Sequence, residues 1–188
     1  MNKKEEVCRA VKRIGWGYVF LYFNINLGTI NILPAFWGYC LFYKGIRDGI
    51  SLEEESADLL KPIAILLGIY QGILWLLACF GIPMDVLLIS ELASVISLYF
   101  HFQLLTNLAN ISKKYHCSQE KSLLHVRTIQ TIVLTILAFT TPFEEMYILS
   151  IVLVIVQIVM IICLCIILRD FKHTLEIVPD IDFEDRVC

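Results

Sequence analysis

The stretch from residue 14 to residue 46 constrains the fold more than any other part of this chain. It contains two apolar runs, 14–23 and 32–46, which are joined by a turn without charged residues. A single helix over this stretch would be about 50 Å long at ~1.5 Å per residue, whereas the hydrocarbon core of a membrane is only about 30 Å thick. We therefore predict two helices that return the chain to the side on which it starts. They either cross the membrane or form a re-entrant pair whose turn is covered by protein.

The turn between the two runs contains the residue types that end helices. Glycine tolerates unusual backbone angles, and proline lacks an N–H and fits best in the first turn of a helix. We place the start of the second helix near Asn31, three residues before the proline. The predicted turn residues are Asn24, Asn26, Gly28, Asn31 and Pro34.

The whole chain is too apolar for a water-soluble domain. Of its 188 residues, 58% are hydrophobic, and the mean hydropathy is +0.74, whereas soluble domains are about 45–50% apolar. This composition predicts an all-α, polytopic transmembrane helical bundle in a single domain, residues 1–173, followed by an acidic flexible tail, residues 174–188. The predicted membrane segments form three hairpins and cover residues 14–23, 32–46, 63–80, 86–109, 126–139 and 147–168. A surface helix is predicted at 52–60, because Ser51 and Glu54 have the spacing of a capping box.

The positions of the cations predict which end of the bundle faces the cell interior. If the first pair of helices returns the chain to its starting side, four segments lie on that side of the membrane. They are the N-terminus, the connectors 44–61 and 112–127, and the C-terminus. All 15 Lys and Arg residues lie in or beside these segments, and the turns on the other side contain none. Basic residues concentrate in cytoplasmic segments. The sequence therefore predicts a multi-pass protein of the bacterial cytoplasmic membrane with both termini in the cytoplasm.

Small and polar residues indicate which helix faces pack together. Gly68 and Gly72 have the small-xxx-small spacing that lets membrane helices approach closely. Thr131 and Thr135 share one face of the fifth segment, where their hydroxyls can bond their own backbone or a neighbouring helix. The sixth segment has almost no polar residue, so we predict that it is the helix most exposed to lipid.

The fourth segment carries the residues best suited to a polar site. An ionisable group inside a membrane costs about 2.5–3.5 kcal/mol on insertion scales, which makes such residues functional candidates. Glu91 and His101 are two such groups, but ~15 Å separates them along the helix axis, so they cannot form an acid–base pair. The side chains around them either pack helices together or line a cavity for a proton, an ion or a small solute, and catalysis is a third interpretation. The candidate intramembrane polar site is Gln71, Glu91, Ser94, His101, Asn107, Thr131 and Thr135.

The sequence contains none of the common enzyme motifs. It has no Gly-x-Ser-x-Gly elbow, no His-Glu-x-x-His motif and no glycine-rich phosphate loop. Cys163 and Cys165 point to helix faces about 200° apart, which is a poor arrangement for holding a metal. We therefore predict no catalytic residue, no cofactor, no metal site and no nucleic-acid binding.

The opening of the chain resembles a known family. The residues that carry the resemblance are Gly-Trp-Gly at 15–17, Asn-Leu-Gly-Thr-Ile-Asn-Ile-Leu-Pro at 26–34 and Gly-Tyr at 38–39. They are similar to the start of small uncharacterised multi-spanning membrane proteins of Gram-positive bacteria. Ala35 stands where that family has an acidic residue, so no role of that carboxylate carries over. The resemblance implies a bacterial cytoplasmic membrane and no particular activity.

Taken together, these patterns predict a non-enzymatic binding or interaction subunit, or a sensor, in a larger membrane assembly. The alternative is a small oligomeric transporter or channel whose polar path runs along the third to fifth helices. An intramembrane enzyme is the remaining class. The expected partners are membrane lipid and either a second copy of the chain or another membrane protein.

Overall fold

Six α-helices make up most of the described chain. A computed structural model describes residues 3–22, 26–27, 30–31, 34–81, 87–140 and 147–178. The helices are α1 Lys3–Tyr22, α2 Ala35–Asp48, α3 Leu60–Cys79, α4 Leu87–Lys114, α5 Glu120–Thr140 and α6 Tyr147–Ile177. The prediction of an all-α fold is confirmed over these residues.

The turn between α1 and α2 contains a minimal strand pair. Strand β1, Asn26–Leu27, runs antiparallel to β2, Ile30–Asn31, so that the chain reverses between the two helices. Helix α2 begins at Ala35, directly after Pro34, and therefore later than the predicted start near Asn31. Pro34 has φ −67° and ψ 131°, which is the extended conformation that precedes a helix start. The predicted turn residues Asn24 and Gly28 lie outside the described residues.

Three helical stretches of the described chain are long and apolar enough to cross a membrane. They are Glu55–Cys79, Ile89–Lys114 and Ile151–Ile177, and they indicate a membrane protein. Helices α1, α2 and α5 are not among them; α2 has 14 residues and is ~21 Å long at ~1.5 Å per residue. Only 11% of the most apolar part of α3 is buried inside the bundle, against 22% for α6. The prediction that α6 is the most exposed helix is therefore wrong, because α3 packs less of its surface against protein.

The helices pack in the order in which they follow along the chain. Helix α1 packs on α2, α2 on α3, α3 on α4, α4 on α5 and α5 on α6, and a contact between α1 and α6 closes the ring. The core at the middle of the ring contains fully buried aromatic and aliphatic side chains from α1, α2 and α4, including Tyr18, Phe42, Phe100 and Leu104. Between membrane helices, close van der Waals packing of such side chains is a main favourable term, because lipid tails are as apolar as the side chains themselves.

Glycines of α1 and α2 form the closest helix contact of the described chain. A Cβ added at Gly38 would lie 2.8 Å from the Gly17 carbonyl oxygen, and one at Gly45 would lie 3.1 Å from the carbonyl oxygen of Ala10. The predicted packing glycines of α3 approach α2 less closely. A Cβ at Gly68 would be 3.3 Å from the Tyr39 Cβ, and one at Gly72 would make only ordinary contacts, 3.9 Å from the nearest atom.

Contacts join the basic and acidic connectors at one end of the bundle. The Lys4 ammonium group donates a hydrogen bond to the carbonyl oxygen of Val178, and Gln119 Nε2 donates to Thr174 Oγ1 at 3.0 Å. The Glu53 side chain, which is only 3% exposed, accepts hydrogen bonds from Lys114 and from Tyr115 Oη. We call this region, which contains residues 3–13, 47–61, 112–121 and 169–178, the charged end.

The surface helix predicted at 52–60, at the charged end, differs from the structure. In place of a surface helix at 52–60 there are two short 3₁₀ turns, Ile50–Leu52 and Glu55–Leu59, followed directly by α3. The Ser51 hydroxyl donates to the Arg47 carbonyl oxygen at 3.4 Å, and no side chain caps either turn. Ile50 and Ala57 are completely buried and pack on the core, whereas Leu52 and Leu59 of the same segment are exposed.

Helices α4, α5 and α6 are also longer at this end than predicted. Helix α4 continues to Lys114, α5 already begins at Glu120, and α6 continues to Ile177, past the predicted end at 168 and into the predicted tail. The polar residues there do not end the helices, because hydrogen bonds and ion pairs such as Lys172–Glu176 stabilise the additional turns. The rest of the predicted tail, from residue 179, lies outside the described residues.

An ion pair between α1 and α2 gives the charged end a defined pH dependence. Hydrogen bonds from the guanidinium groups of Arg47 and Arg13 hold the pKa of the Asp48 carboxyl below its ordinary value. The ion pair therefore stabilises the fold above the ordinary carboxyl pKa, and its contribution is lost as the pH falls through the lower pKa of the folded state. We expect the difference in melting temperature between wild type and Asp48→Asn to be constant from about pH 7 to about pH 5 and to shrink below about pH 4.

Thermal unfolding in detergent across this pH range measures the effect. The matched control is Asp170→Asn, because Asp170 is exposed on α6 at the same end and makes no ion pair with a described residue. An Asp48→Asn curve that stays parallel to wild type down to about pH 2 would show that the pair contributes nothing to stability.

Candidate functional site

His101 lies at the centre of the helix ring. It is on α4, only 2% exposed, and aromatic rings of α1, α2 and α4 surround its imidazole. Its Nδ1 lies 3.3 Å from the hydroxyl oxygen of Tyr18, while its Nε2 is buried and has no hydrogen-bond partner among the described residues. A buried ring nitrogen without a partner is costly, since it has lost water without gaining a protein hydrogen bond.

Two glutamines bring further unpartnered groups to the same place. Gln130 of α5 is 2% exposed and Gln157 of α6 is 6% exposed. Gln130 Nε2 donates a long hydrogen bond, 3.5 Å, to the Tyr22 hydroxyl, but its Oε1 has no partner among the described residues. Both amide atoms of Gln157 are likewise without a described partner, although the side chain lies near the Tyr22 hydroxyl.

We call the five side chains Tyr18, Tyr22, His101, Gln130 and Gln157 the polar core site. Tyr22 connects its members, because its ring centroid lies 6.4 Å from that of Tyr18 and 6.3 Å from the His101 ring, and its hydroxyl faces both glutamines. Four helices therefore contribute hydrogen-bonding groups to one buried region. Its groups are hydroxyls, amides and an imidazole, which can donate and accept hydrogen bonds. No group of three metal-ligating side chains occurs in the described chain.

A crevice between α4 and α5 leads from the polar core site to the flank of the bundle. It is lined by Leu98, His101, Phe102, Leu105, Arg127, Gln130, Thr131 and Leu134. The crevice is narrow, and no space in it is large enough to enclose a water molecule. Arg127 is half-buried there, with Nη1 donating to Thr106 Oγ1 at 3.0 Å and the guanidinium carbon 4.5 Å from the centre of the Phe102 ring.

The structure separates the sequence-predicted polar residues of α4. His101 and Asn107 are buried in the bundle, whereas Glu91 and Ser94 are exposed on the part of α4 far from the charged end. The Ser94 hydroxyl donates to the Ser90 carbonyl oxygen of its own helix at 2.9 Å. Only His101 of these four therefore belongs to the polar core site.

Asn107 has a structural role in this arrangement. Its Oδ1 accepts hydrogen bonds from Ser56 at 2.9 Å and from Gln103 at 3.0 Å. These bonds tie α4 to the 3₁₀ turn that precedes α3. Asn107 therefore connects helices at the charged end and does not line the crevice.

The threonines of α5 and Gln71 of α3 also differ in position. Thr131 lines the crevice, but the hydroxyls of Thr131 and Thr135 donate to the carbonyl oxygens of Arg127 and Thr131, each at 2.8 Å. Of the two alternatives for these threonines, the bond to their own backbone is the one that forms. Gln71 is half-buried on α3, outside the polar core site.

Sequence reasoning missed four of the five polar core site residues, Tyr18, Tyr22, Gln130 and Gln157, and it also missed Arg127. Arg127, Gln130 and Thr131 have i, i+3 and i+4 spacing, which places them on one face of a helix, and this signal was readable from the sequence. Gln157 is an isolated amide in an otherwise apolar helix, and a polar residue at such a position seldom faces lipid. Which face meets which neighbour depends on helix rotation, and the sequence does not encode rotation in a readable pattern.

Comparisons with protein-family models, with curated proteins and with solved structures found no match to this chain. The resemblance of its opening to a Gram-positive membrane protein family therefore stays a prediction.

Proposed function

We propose that this chain is a non-enzymatic binding protein of the bacterial cytoplasmic membrane, whose polar core site binds a ligand that supplies hydrogen bonds inside the helix bundle. One observation carries the proposal: His101, Gln130 and Gln157, from three different helices, bury four hydrogen-bonding atoms without a described partner. Each such atom costs about 1–3 kcal/mol when left unpaired. A ligand that pairs with them recovers this free energy, which is the physical basis for binding.

The membrane arrangement that accompanies this proposal has six segments and places the charged end in the cytoplasm. Contacts between residues of all four cation-bearing regions support it, including Lys4 with Val178 and Lys114 with Glu53. Since basic residues concentrate on the cytoplasmic side, both termini then lie in the cytoplasm. The three apolar helical stretches fit such a membrane by length and composition.

The two other function classes have less support from the described geometry. A transport path along α3 to α5 requires polar groups that continue through the bundle, but Glu91 and Ser94 are exposed and apart from His101. An enzyme requires a nucleophile, an acid or a base in position to react. His101 has only the Tyr18 hydroxyl as a hydrogen-bond neighbour, and both groups are enclosed in the core.

Native mass spectrometry of the full chain, purified in mild detergent, tests the proposal. We expect wild type to retain a ligand of low molecular mass, and we expect His101→Phe and Gln157→Leu to lose it, since each removes groups that the ligand pairs with. Ser94→Ala is the matched control on the exposed face of α4 and keeps the ligand. The proposal would be contradicted if wild type retains no ligand, or if His101→Phe and Gln157→Leu retain the same ligand as wild type.

A further inference from the structure

The crevice between α4 and α5 has the chemistry of an anion site that opens towards lipid. Among the described residues, Arg127 forms no ion pair with a carboxylate, and its Nε is buried without a hydrogen-bond partner. An arginine at membrane depth is costly unless something compensates its charge. The described contacts of Arg127, with the Thr106 hydroxyl and the Phe102 ring, leave that compensation incomplete.

We propose that Arg127, at the mouth of this crevice, binds the phosphate of an anionic phospholipid from the leaflet at the charged end. The guanidinium group of Arg127 holds the phosphate oxygens, because its planar fork of donors matches oxyanions well. This inference rests on the proposed binding function and names the class of its ligand. His101 and Gln130 of the polar core site line the same crevice.

The depth of Arg127 fits a lipid headgroup. Its partner Thr106 lies eight residues before Lys114, where α4 ends, which corresponds to ~12 Å along the helix. The long arginine side chain can reach from this depth towards the headgroup region. A phosphate drawn slightly inwards and an arginine directed outwards therefore meet at the boundary between headgroups and acyl chains.

The surroundings of the crevice favour a lipid over a free inorganic ion. Phe102 on α4 is an exposed apolar side chain that lines the crevice beside Arg127. Such a surface packs against acyl chains. Because the crevice is too narrow to hold even a water molecule, the phosphate stays at its mouth, where Arg127 lies, and the acyl chains remain outside on the flank beside Phe102.

Binding of a defined lipid to the full chain tests this inference. Purified protein is mixed with phosphatidylglycerol or with phosphatidylcholine of identical acyl chains, and the lipid-bound fraction is measured by native mass spectrometry. We expect wild type to bind phosphatidylglycerol about fivefold more tightly, which corresponds to ~1 kcal/mol for one basic side chain near the headgroups. Arg127→Gln abolishes this preference, and Arg127→Lys keeps most of it because the charge is retained.

Two further variants make the result specific. Arg169→Gln removes an exposed arginine of α6 at the charged end and leaves the preference unchanged. If Arg127→Gln fails to fold, Leu134→Trp covers the mouth of the crevice with a larger ring without altering the charge and also abolishes the preference. Equal binding of both lipids by wild type, a preference that survives Arg127→Gln or Leu134→Trp, or an equal loss in Arg169→Gln overturns the inference.

The two proposals fail in different ways. If His101→Phe and Gln157→Leu release a ligand while the lipid preference of Arg127→Gln equals that of wild type, the binding function stands and the lipid inference falls. If the preference for phosphatidylglycerol depends on Arg127 but His101→Phe and Gln157→Leu retain their ligand, Arg127 binds lipid and the polar core site does not bind the ligand.

Discussion

Gly38→Leu is expected to lower the free energy of unfolding by about 3 kcal/mol, at the upper end of the range for overpacking. The reason is the contact between α1 and α2. A Cβ at Gly38 would meet the Gly17 carbonyl oxygen at 2.8 Å and the Leu21 backbone nitrogen at 3.4 Å. Backbone atoms cannot rotate away as a side chain can, so the two helices must separate.

Separation of these helices would also affect the polar core site. Tyr18 on α1 packs edge-on against Phe42 on α2, with ring centroids 5.0 Å apart, and the same Tyr18 hydroxyl faces His101. We therefore expect Gly38→Leu to reduce ligand retention as well as stability. Gly17 is the counterpart on α1, where an added Cβ would lie 2.6 Å from the fully buried Phe42 ring.

Gly15→Leu is the matched control for this prediction. Gly15 lies on the same helix as Gly17, but no described atom lies within 4 Å of the position that its Cβ would occupy. Leucine is also a better helix former than glycine, by somewhat less than about 1 kcal/mol. Urea or thermal unfolding in detergent measures both variants. Equal unfolding midpoints for Gly38→Leu and Gly15→Leu would show that α1 and α2 do not approach as closely as the structure indicates.

The glycine contacts show what sequence patterns can and cannot predict in this fold. Gly68 and Gly72 have small-xxx-small spacing, and Gly45 and Gly49 have the same spacing in α2 and directly after it. The second pair makes the closer approach, since a Cβ at Gly49 would lie 2.7 Å from the Glu6 carbonyl oxygen. The spacing is identical in the two cases. The difference comes from the facing helix, because an added Cβ at Gly49 would also lie 2.5 Å from the Ala10 Cβ, whereas one at Gly68 would lie 3.3 Å from the Tyr39 Cβ.

For the polar residues too, the sequence predicted some positions and not others. Hydrophobic runs and cation positions were sufficient to predict a helical membrane protein and to group the connectors that meet at the charged end. The same reasoning predicted His101 as a site residue because it is ionisable and lies within an apolar segment. It did not predict that Glu91 and His101 would differ so strongly in burial, because burial depends on where neighbouring helices end and how they are rotated.

Helix ends were predicted less well than helix centres. Helix α6 continues through Arg169, Lys172 and His173, although their charge suggested an end. These side chains extend into the charged end, where water and opposite charges are available, so they add to the helix instead of ending it. The polarity of these residues therefore does not mark the end of the helix.

Gln157→Leu is expected to raise the stability of the ligand-free protein by about 1–3 kcal/mol, although it replaces a polar residue of the candidate site. The glutamine is 6% exposed, and neither of its amide atoms has a hydrogen-bond partner among the described residues. Leucine fills a similar volume without a polar group that must lose water. The free-energy cost of the buried amide therefore disappears while the packing of α6 against the bundle stays.

Gln103→Leu on α4 provides the contrast. Gln103 Nε2 donates to Asn107 Oδ1 at 3.0 Å, so this substitution removes a hydrogen bond that is formed and lowers stability by about 0.5–1.5 kcal/mol. The two glutamine-to-leucine changes thus have opposite signs, and unfolding of delipidated protein in detergent measures both. If Gln157→Leu gains stability and loses the ligand, the amide serves binding. Polar groups that pair only with a ligand lower the stability of the ligand-free protein. A loss of stability instead would mean that Gln157 already has a hydrogen-bond partner in the ligand-free protein, and that its amide serves to hold α6 in the bundle.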